Sequence, residues 1–361
     1  MADARKIRVL VVDDSAIVRK ILSETLASEA DIGVVGTAPD PIVALDKIQR
    51  LKPDVLTLDI EMPRMDGVTF LKQLMQTQPM PVILISFLAQ SSVEIALEGL
   101  RHGALDVLAK PSGPYSVGEL RDSVSSRIRA AARAKVKGLG SAVPPAALPK
   151  PAGSRINGDR LIAVGASTGG TEAIARLLAQ MPSEVPPILI TQHIPPMFSR
   201  TFAERLNKTC HINVREAADG DAVLPGLALI APGGYHMLLE RAGQGFRIKI
   251  KDGPLVCYQR PSVDVLFTSV AAAAGDRAVG VILTGMGNDG AQGMKRMQQM
   301  GCHNIAQDEA SCVIFGMPRE AIRAGAVDQV LPLDRIAPAL LNACSSAATE
   351  HLSTAVPHPT S

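Results

Sequence analysis

Tryptophan is absent from the 361-residue sequence, and aromatic residues of all kinds make up only 3% of it. The cores must therefore be aliphatic, built from Val, Ile, Leu, Ala and Met, a bias that suits buried parallel sheets flanked by Ala-rich helices. An excess of one charge sign is also missing: 37 Lys and Arg face 35 Asp and Glu, a formal net charge of +2. That balance removes the electrostatic case for nucleic acid, which needs a clustered cationic excess. The five cysteines (Cys210, Cys257, Cys302, Cys312, Cys344) are odd in number and share no short spacing. Neither a disulfide framework nor a zinc site is signalled, and ordinary thiols in a reducing compartment are expected. No apolar run approaches the ~20 residues needed to cross a bilayer, and residues 1–6 carry no apolar targeting core. The expectation is a soluble cytoplasmic protein with no membrane insertion. Disorder throughout is excluded, because 47% of the residues are hydrophobic.

At ~150 residues per domain the length points to about two domains, and the composition breaks once. Residues 127–155 are rich in Ala, Arg, Lys, Pro and Gly, and residues 142–151 have neither helical nor strand period; Pro-rich stretches of this kind are extended spacers. The organisation predicted is a first domain over 1–125, an Ala/Pro/Arg-rich linker over 126–157, a second domain over 158–344 and a tail over 345–361. On both sides of the linker short apolar runs alternate with helical spacing. Five strands and five helices are predicted before it. Strands at 161–164, 187–191 and 278–283 follow it, with a hairpin at 236–240 and 246–250. The fold class is α/β: two doubly wound parallel sheets, a flavodoxin-like one and a Rossmann-like one with an antiparallel hairpin.

In open parallel sheets ligands bind at the carboxyl ends of strands. Asp13, Asp14 and Asp59 end the first and third predicted strands, Ser86 ends the fourth, and Lys110 follows the fifth. One strand-end aspartate is an ordinary helix cap. Three converging carboxylates repel one another and call for a divalent cation, and oxygen-only ligation suits Mg²⁺. A metal, a lysine and a hydroxyl around Asp59 make a phosphate-accepting site with Asp59 as nucleophile. Asp13-Asp14-Ser15, Asp59 with residues 62–67, Ser86 and Lys110-Pro111 closely resemble the response-regulator receiver family over roughly residues 6–125. The resemblance implies phosphorylation of Asp59 by a histidine kinase, with Mg²⁺ held by Asp14, Asp59 and the Glu61 carbonyl beside Asp13. It also implies that Ser86 reorients on phosphorylation. Many receivers carry an aromatic residue where this chain has Val107, a departure from the pattern that an aromatic switch at that position uses.

In the second half, Gly165-Ala166-Ser167-Thr168-Gly169-Gly170 fits G-x-S-x-G between a strand and a helix. Such a turn exposes a serine beside the unpaired N–H groups of a helix N-terminus, but it could equally cradle a phosphate. A dinucleotide fold wants an acid at the end of its second strand. Here that strand runs into Gln192-His193, where a general base for the serine belongs, although taken alone such a histidine would be a structural one. The third member is expected on a neighbouring loop, and Asp289 in Thr284-Gly285-Met286-Gly287-Asn288-Asp289-Gly290 follows a strongly apolar strand; taken alone it would be a helix N-cap. His211, His236 and His303 lack comparable placement and are read as structural.

Residues 160–343 are similar to the catalytic domain of the chemotaxis protein-glutamate methylesterases, in Gly165–Gly170, Gln192–Pro196, Ile230–Gly233, Arg260–Asp264, Thr284–Gly290, Gln307–Cys312 and Gly316–Pro318. The resemblance implies that Ser167 attacks a glutamyl methyl ester on a chemoreceptor, that His193 moves the proton and that Asp289 orients the imidazole. It puts an oxyanion donor at the Met286 N–H and Thr168 near the site. It further implies deamidation of receptor glutamines, an esterase without a cofactor, and a role in sensory adaptation. The unphosphorylated receiver is expected to restrain the esterase and phosphorylation to release it. A phospho-regulated nucleotide binder is the alternative from another class; a DNA-binding output lacks a helix-turn-helix signature.

Overall fold

The computed structural model describes residues 5–345 apart from 88, 111–116, 135 and 137–159. The Pro-rich stretch expected to be a linker, and the tail beyond 345, lie outside the described residues. The chain divides into two compact units, the first drawn chiefly from residues up to Val143 and the second from Pro144 onward.

The first unit alternates strand and helix: β1 (Ile7–Val12), α1 (Ala16–Ala27), β2 (Ile32–Ala38), α2 (Pro41–Leu51), β3 (Val55–Asp59), α3 (Gly67–Thr77), β4 (Val82–Ser86), α4 (Gln90–Arg101), β5 (Asp106–Ala109) and α5 (Val117–Ala131). The strands form one sheet in the order β2-β1-β3-β4-β5. All four pairings are parallel, which is the flavodoxin-like arrangement expected. The central strands β3 and β4 are buried at every residue, as apolar runs covered on both faces must be. Helix starts follow local chemistry, since Ser15, Asp40 and Asp66 each accept a backbone N–H with their side chains.

The second unit contains β6 (Leu161–Ala166), α6 (Gly170–Ala179), β7 (Ile188–Gln192), α7 (Phe198–Thr209), β8 (Asn213–Glu216), β9 (Leu227–Ile230), β10 (His236–Ala242), β11 (Gly245–Lys251), α8 (Val263–Ala274), β12 (Ala278–Ile282), α9 (Ala291–Gln299), β13 (His303–Gln307), α10 (Met317–Arg323), β14 (Gln329–Leu331) and α11 (Leu333–Ala343). Its seven-stranded sheet runs β14-β13-β12-β6-β7-β9-β8 and is parallel throughout. Strand order reverses between β6 and β12, the crevice where α/β sheets bind ligands. The hairpin β10–β11 is a separate antiparallel pair. Its Met237, Leu239 and Ile248 share a buried cluster with Leu266, Phe267 and Val270 of α8. Five elements are not announced by the sequence pattern: β8, β13, α10, β14 and α11. In β13 the reason is visible. Asn304 and Gln307 are fully buried yet polar. Asn304 donates to the carbonyls of Met294 and Ala326 at 2.9 and 2.8 Å, and Gln307 accepts the Thr284 N–H at 2.8 Å. Among the described residues no helix is long and apolar enough to cross a membrane.

Gly67 opens α3 against the end of β3, so closely that a Cβ there would lie 2.1 Å from the Asp59 carbonyl oxygen and 2.9 Å from Ile60 Cα. Backbone atoms cannot swing aside as side chains do. Gly67→Ala should therefore destabilise the first unit by about 1–3 kcal/mol, read as a lower urea midpoint for that unit with the second unit's transition unmoved.

Candidate active site and phosphoacceptor pocket

The residues singled out from the sequence, His193, Ser167 and Asp289, lie on the loops that follow three adjacent strands of the second unit, β7, β6 and β12, the first two directly after their strands and Asp289 seven residues beyond Ile282. His193 Nε2 lies 2.8 Å from Asp289 Oδ2, and both side chains are almost completely buried. The Asp289 carboxylate does not cap its own helix: Gly290 is the N-cap of α9, with no side-chain bond. It turns instead to the start of α8. Oδ1 accepts from Ser262 Oγ at 2.8 Å and from the Asp264 N–H at 2.9 Å, and Oδ2 accepts from the Val263 N–H at 2.8 Å. A helix N-terminus offers unpaired N–H groups and the positive end of its dipole. Burial works to raise the Asp289 carboxyl, but the His193 hydrogen bond and charge and these backbone donors outweigh it and hold it below the ordinary aspartate value.

The bond to Nε2 fixes which ring nitrogen is free. Asp289, an acceptor, keeps the proton on Nε2, leaving Nδ1 with the lone pair. Nδ1 is buried and has no hydrogen-bond partner among the described residues. Ser167 lies on the neighbouring strand, 9% exposed, with its main chain held at both ends. Its N–H donates to the Thr284 carbonyl at 3.1 Å and its carbonyl accepts the Gly170 N–H at 2.7 Å. The tight turn behind it needs Gly169, whose φ is +77°. Gln192 was not assigned a role from the sequence. Its Nε2 donates to the carbonyls of both Ser167 and His193, at 2.8 and 3.1 Å, tying the two loops together. Ser262 likewise went unassigned, although it sits in a segment that resembles the family.

Met286 lies on the loop that follows β12. Its loop is positioned from beneath by the Thr284 N–H to Gln307 bond and by Thr284 Oγ1, which accepts the Ile314 N–H at 3.0 Å. Gly285 has no room for a side chain, because a Cβ would lie 2.7 Å from Ser167 Cβ. Thr168 is buried, and its carbonyl accepts from Thr284 Oγ1 at 3.2 Å. His236 is a support: Nδ1 accepts the Ser262 N–H at 3.2 Å and Nε2 donates to the Pro254 carbonyl at 2.9 Å.

In the first unit, Lys110 Nζ lies 2.7 Å from Asp59 Oδ2 and 3.1 Å from Asp13 Oδ2. Asp13, Asp14 and Asp59 each bring a carboxylate oxygen within 4.8 Å of the others. Burial raises the Asp59 carboxyl to about 6 despite the pull of Lys110, with the Asp13 charge adding to the rise. Burial works against the Lys110 charge, but Asp59 and Asp13 hold the ammonium above its ordinary value. Three carboxylates against one ammonium leave an excess of negative charge. Asp13 Oδ2 and Asp59 Oδ2 have no further partner beyond Lys110 among the described residues. Hard oxygen donors with net negative charge fit Mg²⁺. The Glu61 N–H donates to Asp59 Oδ1 at 3.1 Å, and its side chain accepts from Ser92. Ser86 is buried at the end of β4 and donates to the Phe87 carbonyl at 3.0 Å. Val107 is buried in β5, a sheet-core residue.

Ser262 acts twice, on Asp289 and as the N-cap of α8. Ser262→Ala should cost about 1–2 kcal/mol in a denaturant titration. Asp289 has a depressed folded pKa. Its stabilisation is therefore present above the unfolded value near 3.8 and lost as pH falls through the lower folded value. The stability gap between wild type and Asp289→Asn should be wide at pH 7 and narrow in strong acid, as followed by urea midpoints across pH.

Residues 162–340 match the CheB methylesterase family and residues 9–122 the response regulator receiver domain. The protein-glutamate methylesterase/protein-glutamine glutaminase 2 of Syntrophus aciditrophicus is 54% identical over 341 residues, covering 92% of this chain and 97% of the relative. The protein-glutamate methylesterase/protein-glutamine glutaminase of Escherichia coli is 53% identical over 338 residues, covering 93% and 96%. The crystal structure of the Thermotoga maritima CheB methylesterase catalytic domain covers 51% of this chain and 97% of its own, at 35% identity and a TM-score of 0.50. With both domains matched and relatives more than half identical along nearly their whole length, this chain belongs to the protein-glutamate methylesterase/protein-glutamine glutaminase family.

Proposed function

We propose that the chain hydrolyses glutamyl methyl esters on chemoreceptors, releasing methanol, deamidates receptor glutamines at the same site, and does both under control of phosphorylation at Asp59. The observation that carries the esterase is the buried 2.8 Å bond between His193 and Asp289, on the loops after the two strands that flank β6, the strand that leads into Ser167.

His193 Nδ1 takes the Ser167 hydroxyl proton as Oγ attacks the ester carbonyl. Asp289 keeps the ring in the productive tautomer and stabilises the imidazolium that forms. The Met286 N–H donates to the developing oxyanion, with Thr168 close by. The imidazolium returns its proton to the departing methanol, leaving an acyl-enzyme. Water, deprotonated by His193, then releases a glutamate and restores Ser167. With a glutamine substrate ammonia leaves instead. The esterase steps use only these side chains and the backbone. In the receiver, Asp59 is the phosphoacceptor and a histidine kinase the donor. Asp13, Asp14, Asp59 and the Glu61 carbonyl would hold Mg²⁺, which supplies charge neutralisation during phosphoryl transfer. Lys110 is placed to pair with a phosphoryl oxygen on Asp59, and Ser86 to turn toward it. Tenfold activation needs only ~1.4 kcal/mol of differential stabilisation between two states.

Incubation with methyl-labelled receptor tests substrate, nucleophile and control together. Ser167→Ala should lose ~10⁴-fold or more of methanol release and all labelling by a fluorophosphonate probe. A small-molecule phosphodonor should raise the wild-type rate about tenfold and leave Asp59→Asn unaffected. A labelled receptor that keeps its methyl groups with wild type would refute the proposal. Mg²⁺ should raise the melting temperature of the receiver in a concentration-dependent way, and chelation or Asp13→Asn with Asp59→Asn should abolish that rise in calorimetry.

A further inference from the structure

Only three tyrosines occur in the chain, and two of them stand exposed, Tyr235 at 48% and Tyr258 at 85%, on loops tied to the residues around Asp289. Leu255, on the same loop as Tyr258, is also exposed. In so aromatic-poor a chain, rings left in solvent are a departure from the packing rule, and exposed tyrosines are typical anchors of binding surfaces.

The backbone under Tyr258 is unusual as well. Val256 and Gln259 exchange both main-chain hydrogen bonds, at 3.1 and 2.9 Å, closing a two-residue turn. Its central residues, Cys257 and Tyr258, have φ of 51° and 62°. That turn normally takes Asn, Asp or Gly. Side chains with a full Cβ are strained there, and such strain persists where the surroundings enforce it. The surroundings are the triad's own supports. Cys257 Sγ donates to Asp264 Oδ2 at 3.6 Å. It lies within 4.8 Å of carboxylate oxygens from both Asp264 and Asp289. Burial, with Asp289 and Asp264 nearby, pushes the Cys257 thiol up to about 11, so it is a neutral packing group and no second nucleophile. Arg260 Nη1 donates to Asp252 Oδ1 and the Gly253 carbonyl, each at 2.6 Å, closing the base of the loop. The Gly234 N–H donates to the Arg260 carbonyl at 3.1 Å, which binds the loop of Tyr235 to that of Tyr258.

We propose that the Cys257–Tyr258 turn, with Tyr235 beside it, grips the polypeptide that carries the ester, so that Tyr258 sets affinity for the protein substrate. The inference rests on the function proposed above. Ser167 is only 9% exposed, so a glutamyl side chain reaches it while its main chain stays at the rim. Tyr258 directly follows Cys257, whose sulfur lies within 4.8 Å of an Asp289 carboxylate oxygen. A small ester reaches Ser167 without touching this surface; a receptor segment does not.

The test uses the full chain and two substrates, a detergent-solubilised methylated receptor and p-nitrophenyl acetate, with and without a phosphodonor. Tyr258→Ala should raise KM for the receptor tenfold or more with kcat changed less than threefold. Its loss should be at least ten times greater on receptor than on the small ester. Tyr258→Phe should keep most of the affinity, and Leu255→Ala, outside the left-handed pair, should shift KM in the same direction. A wild-type receptor KM in both Tyr258→Ala and Leu255→Ala overturns the inference. Equal loss on both substrates also overturns it, because the turn would then be a support for Asp289. A raised rate of unphosphorylated Tyr258→Ala overturns it too, since the turn would then hold the receiver rather than substrate. Wild type that cleaves the small ester but releases no methanol from receptor overturns the proposed function, and the inference with it.

Discussion

The carboxylate of Asp289 is the constraint on which the architecture of the second unit's crevice depends. A buried charge is tolerated only when it is paired and hydrogen-bonded, and this one has four donors: His193, Ser262 Oγ and the N–H groups of Val263 and Asp264. Three of them belong to the start of α8. The same bonds that satisfy the charge therefore lock α8 to the loop after β12, and through His193 to the loop after β7. The ring is left with one nitrogen, Nδ1, that has no hydrogen-bond partner among the described residues. The atoms that satisfy the charge are the ones the proposed mechanism uses, so that site could not be loosened without loosening the crevice where the strand order reverses.

The first unit solves a different electrostatic problem. Asp13 and Asp59 share the single cation of Lys110, and burial leaves the Asp59 carboxyl raised to about 6. The pocket is held short of neutralisation and is sensitive to any added charge. A bound cation would relieve the repulsion, whereas the phosphoryl group proposed for Asp59 would add to it and compete for Lys110. Ser86, at the end of β4, is bonded to the Phe87 carbonyl. Such a cluster responds to covalent modification because its charges are buried, where screening is weak.

Most of the fold was legible because parallel strands buried on both faces must be apolar and are punctuated by strand-end polar residues. That rule delivered Asp13, Asp59, Ser86, Ser167 and His193 at the correct ends of their strands. It failed where burial is polar. Asn304 and Gln307 in β13 carry no hydrophobic signal, since their work is to bond the Met294, Ala326 and Thr284 main chains. Gln192 and Ser262 were overlooked for a related reason: each satisfies the backbone or carboxylate of residues distant in sequence, which no local pattern records.

The sequence by itself determined the two α/β units, the strand-end positions of the reactive side chains and, through its motifs, the family. Those properties are local, set by periodicity, turn chemistry and residue type. Only the tertiary structure decided that Asp289 caps α8 rather than α9, that His193 meets it through Nε2 so that Nδ1 is the open nitrogen, and that a strained turn presents Tyr258 on a loop tied to the residues around Asp289. Each of these depends on which strands become neighbours. Residues 193 and 289 stand 96 positions apart and are brought together by hydrogen bonds between strands, which no single stretch of sequence encodes.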